Sequence, residues 1–81
     1  MRCEMCGRHV DNLERHHMIF GTGYRMLSER YKLIKNICRE CHHKIHHDGV
    51  WARKSKEEGQ RMFETRFARE EFIRVFGRSW L

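Results

Sequence analysis

The chain has 81 residues, with 17 Lys and Arg against 11 Asp and Glu, a formal charge of +6, four cysteines and seven histidines. A single domain of this size buries little apolar surface, so a metal or disulfide staple is expected. No run of roughly 18 apolar residues occurs, which excludes a transmembrane helix, and the positive balance favours a polyanionic partner, nucleic acid above all.

Residues 1–12 read as a zinc knuckle. Cys3 and Cys6 form a Cys-x-x-Cys pair, and Gly7 follows at once, where the chain must reverse and a residue free to take positive φ is useful. Arg8 and His9 come next and are read as exposed, contributing charge alone. Cys38 and Cys41 repeat the spacing, so the four cysteines read as one thiolate site. Two intervening residues let backbone N–H groups turn in around the sulfurs and set both thiolates facing one tetrahedral ion. Residues 7–37, between the pairs, exceed the usual zinc-ribbon interval, so this insertion must carry structure of its own. A disulfide framework is the alternative. It needs an oxidising compartment, whereas the chain opens at Met1 without an apolar targeting segment, so a reduced, cytoplasmic protein is expected.

Residues 13–49 form the expected core. Leu13-Glu14-Arg15-His16-His17 runs into Met18-Ile19-Phe20, closed by Gly21-Thr22-Gly23. This predicts a short buried strand over Met18–Phe20 with the histidine doublet at its start. Adjacent strand side chains point to opposite faces, so His16 and His17 are expected to do different jobs. Across Tyr24–Leu33, Met26, Leu27 and Tyr31 recur at helical spacing, and Ser28 is placed to cap a shorter helix. Leu33, Ile34 and Ile37 then read as a second strand that delivers Cys38. From Arg39 a helix is predicted, and the stretch Cys38–His47 holds two thiols and four imidazoles. Cys38 and Cys41 straddle the helix start, while His42 and His46, four apart, share one face. One helix can thus close a thiolate site at its end and carry a second metal site along its side. Asp48-Gly49 is expected to stop it through a left-handed glycine.

Residues 50–81 read as a helical extension. Trp51 to about Thr65 is a charged amphipathic helix with Met62 and Phe63 as apolar contacts, and a break falls near Phe67. Arg69–Phe76 follows, with Phe72, Ile73 and Phe76 as an apolar stripe stopped by Gly77. These aromatics read as core.

Taken together, Cys3-Glu4-Met5-Cys6, Arg15-His16-His17-Met18-Ile19-Phe20 and Cys38-Arg39-Glu40-Cys41-His42 resemble the His-Asn-His (HNH) endonucleases in the version that carries a four-cysteine zinc site. The tail, from Gly59-Gln60-Arg61-Met62-Phe63-Glu64 through Glu71-Phe72-Ile73 to Phe76-Gly77-Arg78-Ser79-Trp80-Leu81, is similar to that of small phage-type members. The resemblance covers nearly the whole chain and implies a phage- or prophage-encoded protein working in a bacterial cytoplasm. It implies an α+β fold over one domain, residues 1–81: a small ββα-metal unit on a treble-clef-like zinc finger, followed by C-terminal helices. Carried over by position, His17 stands where the family has its general base. His16 and His42 stand for ligands of a catalytic divalent cation, and His46 for a further histidine on the metal or the phosphate. Cys3, Cys6, Cys38 and Cys41 stand for the structural zinc ligands. One position departs: the family's middle Asn falls on Leu33 here, and Asn36 lies nearer Cys38.

The residue types suit phosphodiester hydrolysis on their own terms. The reaction needs an activated water and positive charge where negative charge develops. A neutral imidazole is a suitable base near pH 7. Neutral two-histidine ligation leaves open metal positions for water and phosphate and suits Mn, Ni, Co or Zn at least as well as Mg. Arg15, Arg25 and Lys44 are candidates for phosphate contacts. DNA is the expected partner, together with a possible phage or recombination protein, and low sequence specificity is expected because no base-reading helix stands out. The rival is a zinc-stabilised nucleic-acid-binding module or phage adaptor whose histidines are catalytically silent, and Leu33 in place of Asn supports it. A RING-like interaction module is disfavoured, because the interleaved ligand spacing of a two-zinc cross-brace is missing.

Overall fold

Glu14–His17 (β1) and Ile34–Ile37 (β2) pair antiparallel, with Glu14 opposite Ile37 and His17 opposite Ile34. A computed structural model describes residues 1–81. It sets four helices around this two-stranded sheet, Tyr24–Arg30 (α1), Arg39–His47 (α2), Gly49–Glu64 (α3) and Arg69–Phe76 (α4), an α+β arrangement. No helix is long and apolar enough to cross a membrane.

The first strand lies earlier than the apolar run suggests. β1 ends on the histidine doublet, and Met18–Phe20 leaves the sheet. The last rung is Met18 N–H to the Leu33 carbonyl, 2.9 Å. Beyond it Met18 and Ile19 pack on α3 at Gly59, where a Cβ would lie 2.9 Å from Ile19 Cγ1. Burial against a helix outweighs continued pairing. Ser28 also differs from expectation, since it sits inside α1, fully buried, with its hydroxyl donating to the Ile19 carbonyl at 2.6 Å. It pins the segment after the doublet and caps nothing.

Asp48 corrects a third expectation. Its carboxylate accepts from Val50 N–H at 2.9 Å and Trp51 N–H at 3.3 Å, so it closes α2 and caps α3 at once. Gly49 is therefore the first residue of α3 and is absent from the left-handed positions. Asp is among the strongest N-caps, and the cap takes precedence over a glycine stop.

Two buried clusters hold these elements. Met18, Ile19, Leu33, Phe63, Phe72, Phe76 and Trp80 form one. Phe63 is at its centre, with the rings of Phe67, Tyr31 and Phe72 at 4.8, 5.1 and 5.2 Å. Ile73 does not join the stripe and is 43% exposed. Phe72 and Phe76, four apart, own the buried face of α4, and Ile73 lies about 100° around the helix from Phe72. Gln60, buried on α3, accepts from Trp80 N–H at 2.7 Å and so ties the C-terminal tail down. Cys3, Ile37, Cys38, Cys41 and Ile45 form the second cluster, joining the N-terminal knuckle, β2 and α2.

Candidate metal centres

The knuckle is a tight reversal in which Gly7 takes φ 78 and Arg2 bridges to His9. Cys3 Sγ accepts from Cys38 N–H at 3.3 Å and from Met5 and Cys6 N–H, each at 3.4 Å. β2 delivers Cys38 to the start of α2, and Cys41 lies one turn on. All four sulfurs lie within 4.8 Å of one another. A cluster of this composition and span can hold a metal such as zinc. Burial raises the Cys3 thiol, but the N–H groups of Cys6, Cys38 and Met5 outweigh it and bring the value down to about 6. The Cys41 thiol is pushed up by burial and then by the sulfurs of Cys38, Cys6 and Cys3. Sulfurs this crowded do not all ionise unless a cation sits among them. Arg8, read from sequence as charge alone, donates to Cys38 Sγ at 3.7 Å and pairs with Glu40 at 2.9 Å.

A second cluster forms where β1 meets the side of α2. The ligand atoms of His16, His42 and His46 lie within 4.8 Å of one another. Strand alternation turns His16 inward, 1% exposed, while His17 is half-buried on the other face. His16 Nε2 lies 2.7 Å from Ser55 Oγ on α3, and that hydroxyl donates to the Met18 carbonyl at 2.8 Å. His16 Nδ1 is buried without any hydrogen-bond partner. Burial first, then the neighbouring His42 and His46, push the His16 imidazole down to about 4, so it is neutral at pH 7. His46 is lowered for the same leading reason. His42 Nδ1–H donates to Glu14 Oε1 at 2.6 Å, which leaves Nε2 of that ring free. A cleft of about 220 Å³ opens over the trio, walled also by Arg15, His17, Phe20 and Arg25.

His17 Nε2–H donates to Glu29 Oε2 on α1 at 2.7 Å, and Arg15 pairs with the same carboxylate. Arg15, followed by His17, holds the Glu29 carboxyl below its ordinary range. Asn36 does not reach His17. It lies on β2 opposite Arg15, with its backbone N–H donating to Glu4 at 2.9 Å. Arg25 is exposed at the cleft wall with no ion-pair partner. Lys44 is not with the other two basic residues. Two positions from both His42 and His46, it faces the opposite side of α2, its ammonium 5.0 Å from the Trp51 ring, and it lines a separate pocket with Cys6 and Cys41.

The sequence reading missed Glu14, Glu29 and Ser55. Glu14 was within reach, since a strand places residues two apart on one face and Glu14 precedes His16 by two. Glu29 and Ser55 carry no local signal, because their partners lie 12 and 39 residues away in the chain. Compared with family models, curated proteins and solved structures, the chain matches none.

Proposed function

We propose that this chain is an HNH-type endonuclease that hydrolyses DNA phosphodiester bonds with a histidine base and one divalent cation, on a domain stapled by a four-cysteine zinc. The observation that carries the reading is His16 Nδ1, buried, partnerless and grouped with the ligand atoms of His42 and His46. Leaving a buried polar atom unpaired costs about 1–3 kcal/mol, a cost that metal ligation removes. The order β1, β2, α2, with one ligand from the strand and two from the helix, supports the ββα reading.

In this reading the imidazole nitrogens of His16, His42 and His46 would hold the cation, a donor set that suits Mn, Ni, Co or Zn at least as well as Mg. A cation bound there supplies positive charge at the scissile phosphate and the departing 3′ oxygen. His17 accepts the proton of the attacking water. Its Nε2–H is fixed on Glu29, so Nδ1 carries the lone pair that does so, and Glu29 fills the orienting role for which the family uses its Asn. Arg25 contacts the phosphate backbone, and Arg15 joins it on release from Glu29. The products are 5′-phosphate and 3′-hydroxyl ends.

Leu33 at the family's Asn position favours a second reading, the catalytically silent nucleic-acid-binding module. Supercoiled-plasmid nicking separates the two, using zinc-replete, chelator-treated protein with Mg, Mn, Ni or Co added back and His17→Ala alongside. Metal-dependent nicking that falls by about 10²-fold or more in the variant, with DNA affinity retained, is the expected result. Binding without nicking under any metal would refute the nuclease.

A further inference from the structure

We infer that Ser55, on α3 and outside the strands and helix that carry the ligands, is the positioning residue that makes His16 offer Nδ1 to a metal, so that α3 is part of the metal centre. The inference rests on reading His16, His42 and His46 as a cation site. A hydroxyl has one hydrogen. The Met18 carbonyl, 2.8 Å from Ser55 Oγ, can only accept, so that hydrogen is committed there. His16 Nε2, 2.7 Å from the same oxygen, must then be the donor. A neutral imidazole carries one N–H, so Nδ1 is bare. The other tautomer would set the Nε2 lone pair against the oxygen lone pairs. It would also bury an N–H at Nδ1, where no acceptor lies within hydrogen-bond range.

The consequence is a centre that draws different nitrogens from its two flanks. His16 of β1 offers Nδ1, while His42 of α2, with Nδ1–H on Glu14, offers Nε2. Ser55 also holds the Met18 carbonyl, one residue past the doublet. One hydroxyl therefore fixes both the ring and the backbone that positions it. Groups that orient a ligand in this way typically govern about 10–100-fold in metal affinity.

Cobalt tests this on the full chain with zinc held in the cysteine centre, read by the visible d–d absorption as cobalt fills the histidine trio. Ser55→Ala is expected to weaken cobalt binding by about 10–100-fold, and Ser55→Thr, which keeps the hydroxyl, to restore it to within a few-fold. Ring-carbon NMR shifts of the zinc-saturated wild-type protein distinguish the ligating nitrogen without any variant, and are expected to report Nδ1 for His16 and Nε2 for His42. Equal cobalt affinity in wild type and Ser55→Ala, or His16 bound through Nε2, would overturn the role of Ser55. Wild-type protein that, with zinc in the cysteine centre, takes up no cobalt at the histidine trio would instead overturn the cation reading beneath it.

Discussion

Gly59 sits in the middle of α3, where alanine ordinarily stabilises a helix by about 1 kcal/mol. Here Gly59→Ala is expected to do the opposite. The new methyl would stand 2.9 Å from Ile19 Cγ1, 3.1 Å from Met18 Cβ and 3.3 Å from Ile19 Cδ1. Neither neighbour can swing aside, because Ile19 and Met18 are 0% and 2% exposed and the β-branched Ile19 is stiff at its first torsion. Overpacking of this kind costs roughly 1–3 kcal/mol, so the net loss is about 1 kcal/mol. For a domain of this length that lowers Tm by about 4–8 °C. The displaced segment follows His17 directly and carries the carbonyl that Ser55 holds, so cobalt affinity of the histidine trio should fall as well. Thermal unfolding by circular dichroism, with a cobalt titration below the transition, measures both effects. A variant that melts several degrees higher than wild type, as helix propensity alone predicts, would refute the close packing of α3 on Met18–Ile19.

Cys38→Ser should release zinc and unravel residues 1–12 and the start of α2, since binding free energy at a structural zinc is folding free energy. Zinc stoichiometry and amide exchange check this, and one zinc retained in a fully protected knuckle would contradict it. Glu29→Ala should lower the nicking rate while leaving plasmid affinity within a few-fold, and should add nothing to the loss already caused by His17→Ala. A further loss in the double variant would show that Glu29 acts other than through His17. Arg25→Ala should weaken DNA binding without regard to sequence and reduce the salt slope by about 1. Lys44→Ala, on the far side of α2, should leave both unchanged, and the reverse pattern would move the DNA to the cysteine side.

Local spacing made part of this arrangement legible. Two Cys-x-x-Cys pairs and the four-residue step from His42 to His46 state their geometry directly, because a turn or a helix converts such intervals into direction. The start of α2 at Arg39 and the αL stop at Gly77 followed from the same kind of rule. What escaped was decided across the fold. Met18–Phe20 has the composition of a strand, yet α3 claims it through the gap that Gly59 leaves. Asp48-Gly49 has the look of a stop, yet the carboxylate was needed to begin the next helix. Ser55 and Glu29 resemble any polar residues on helix surfaces until β1 is laid beside them.

The junction at Asp48 also decides which wall of the cleft can adapt to a substrate. One residue, at φ −132 and ψ 117, separates the helix bearing His42 and His46 from the helix bearing Ser55, and its side chain is already bonded. That elbow has no slack, so the angle between the two helices is set by a single pair of torsions. The opposite wall is built differently. Between β1 and α1 the chain passes Gly21 at φ 121 and Gly23 at φ 82 before it reaches Arg25. On the nuclease reading proposed above, accommodation of a curved or widened DNA strand therefore falls to the Arg25 side, while the side carrying His42, His46 and Ser55 acts as the fixed jaw.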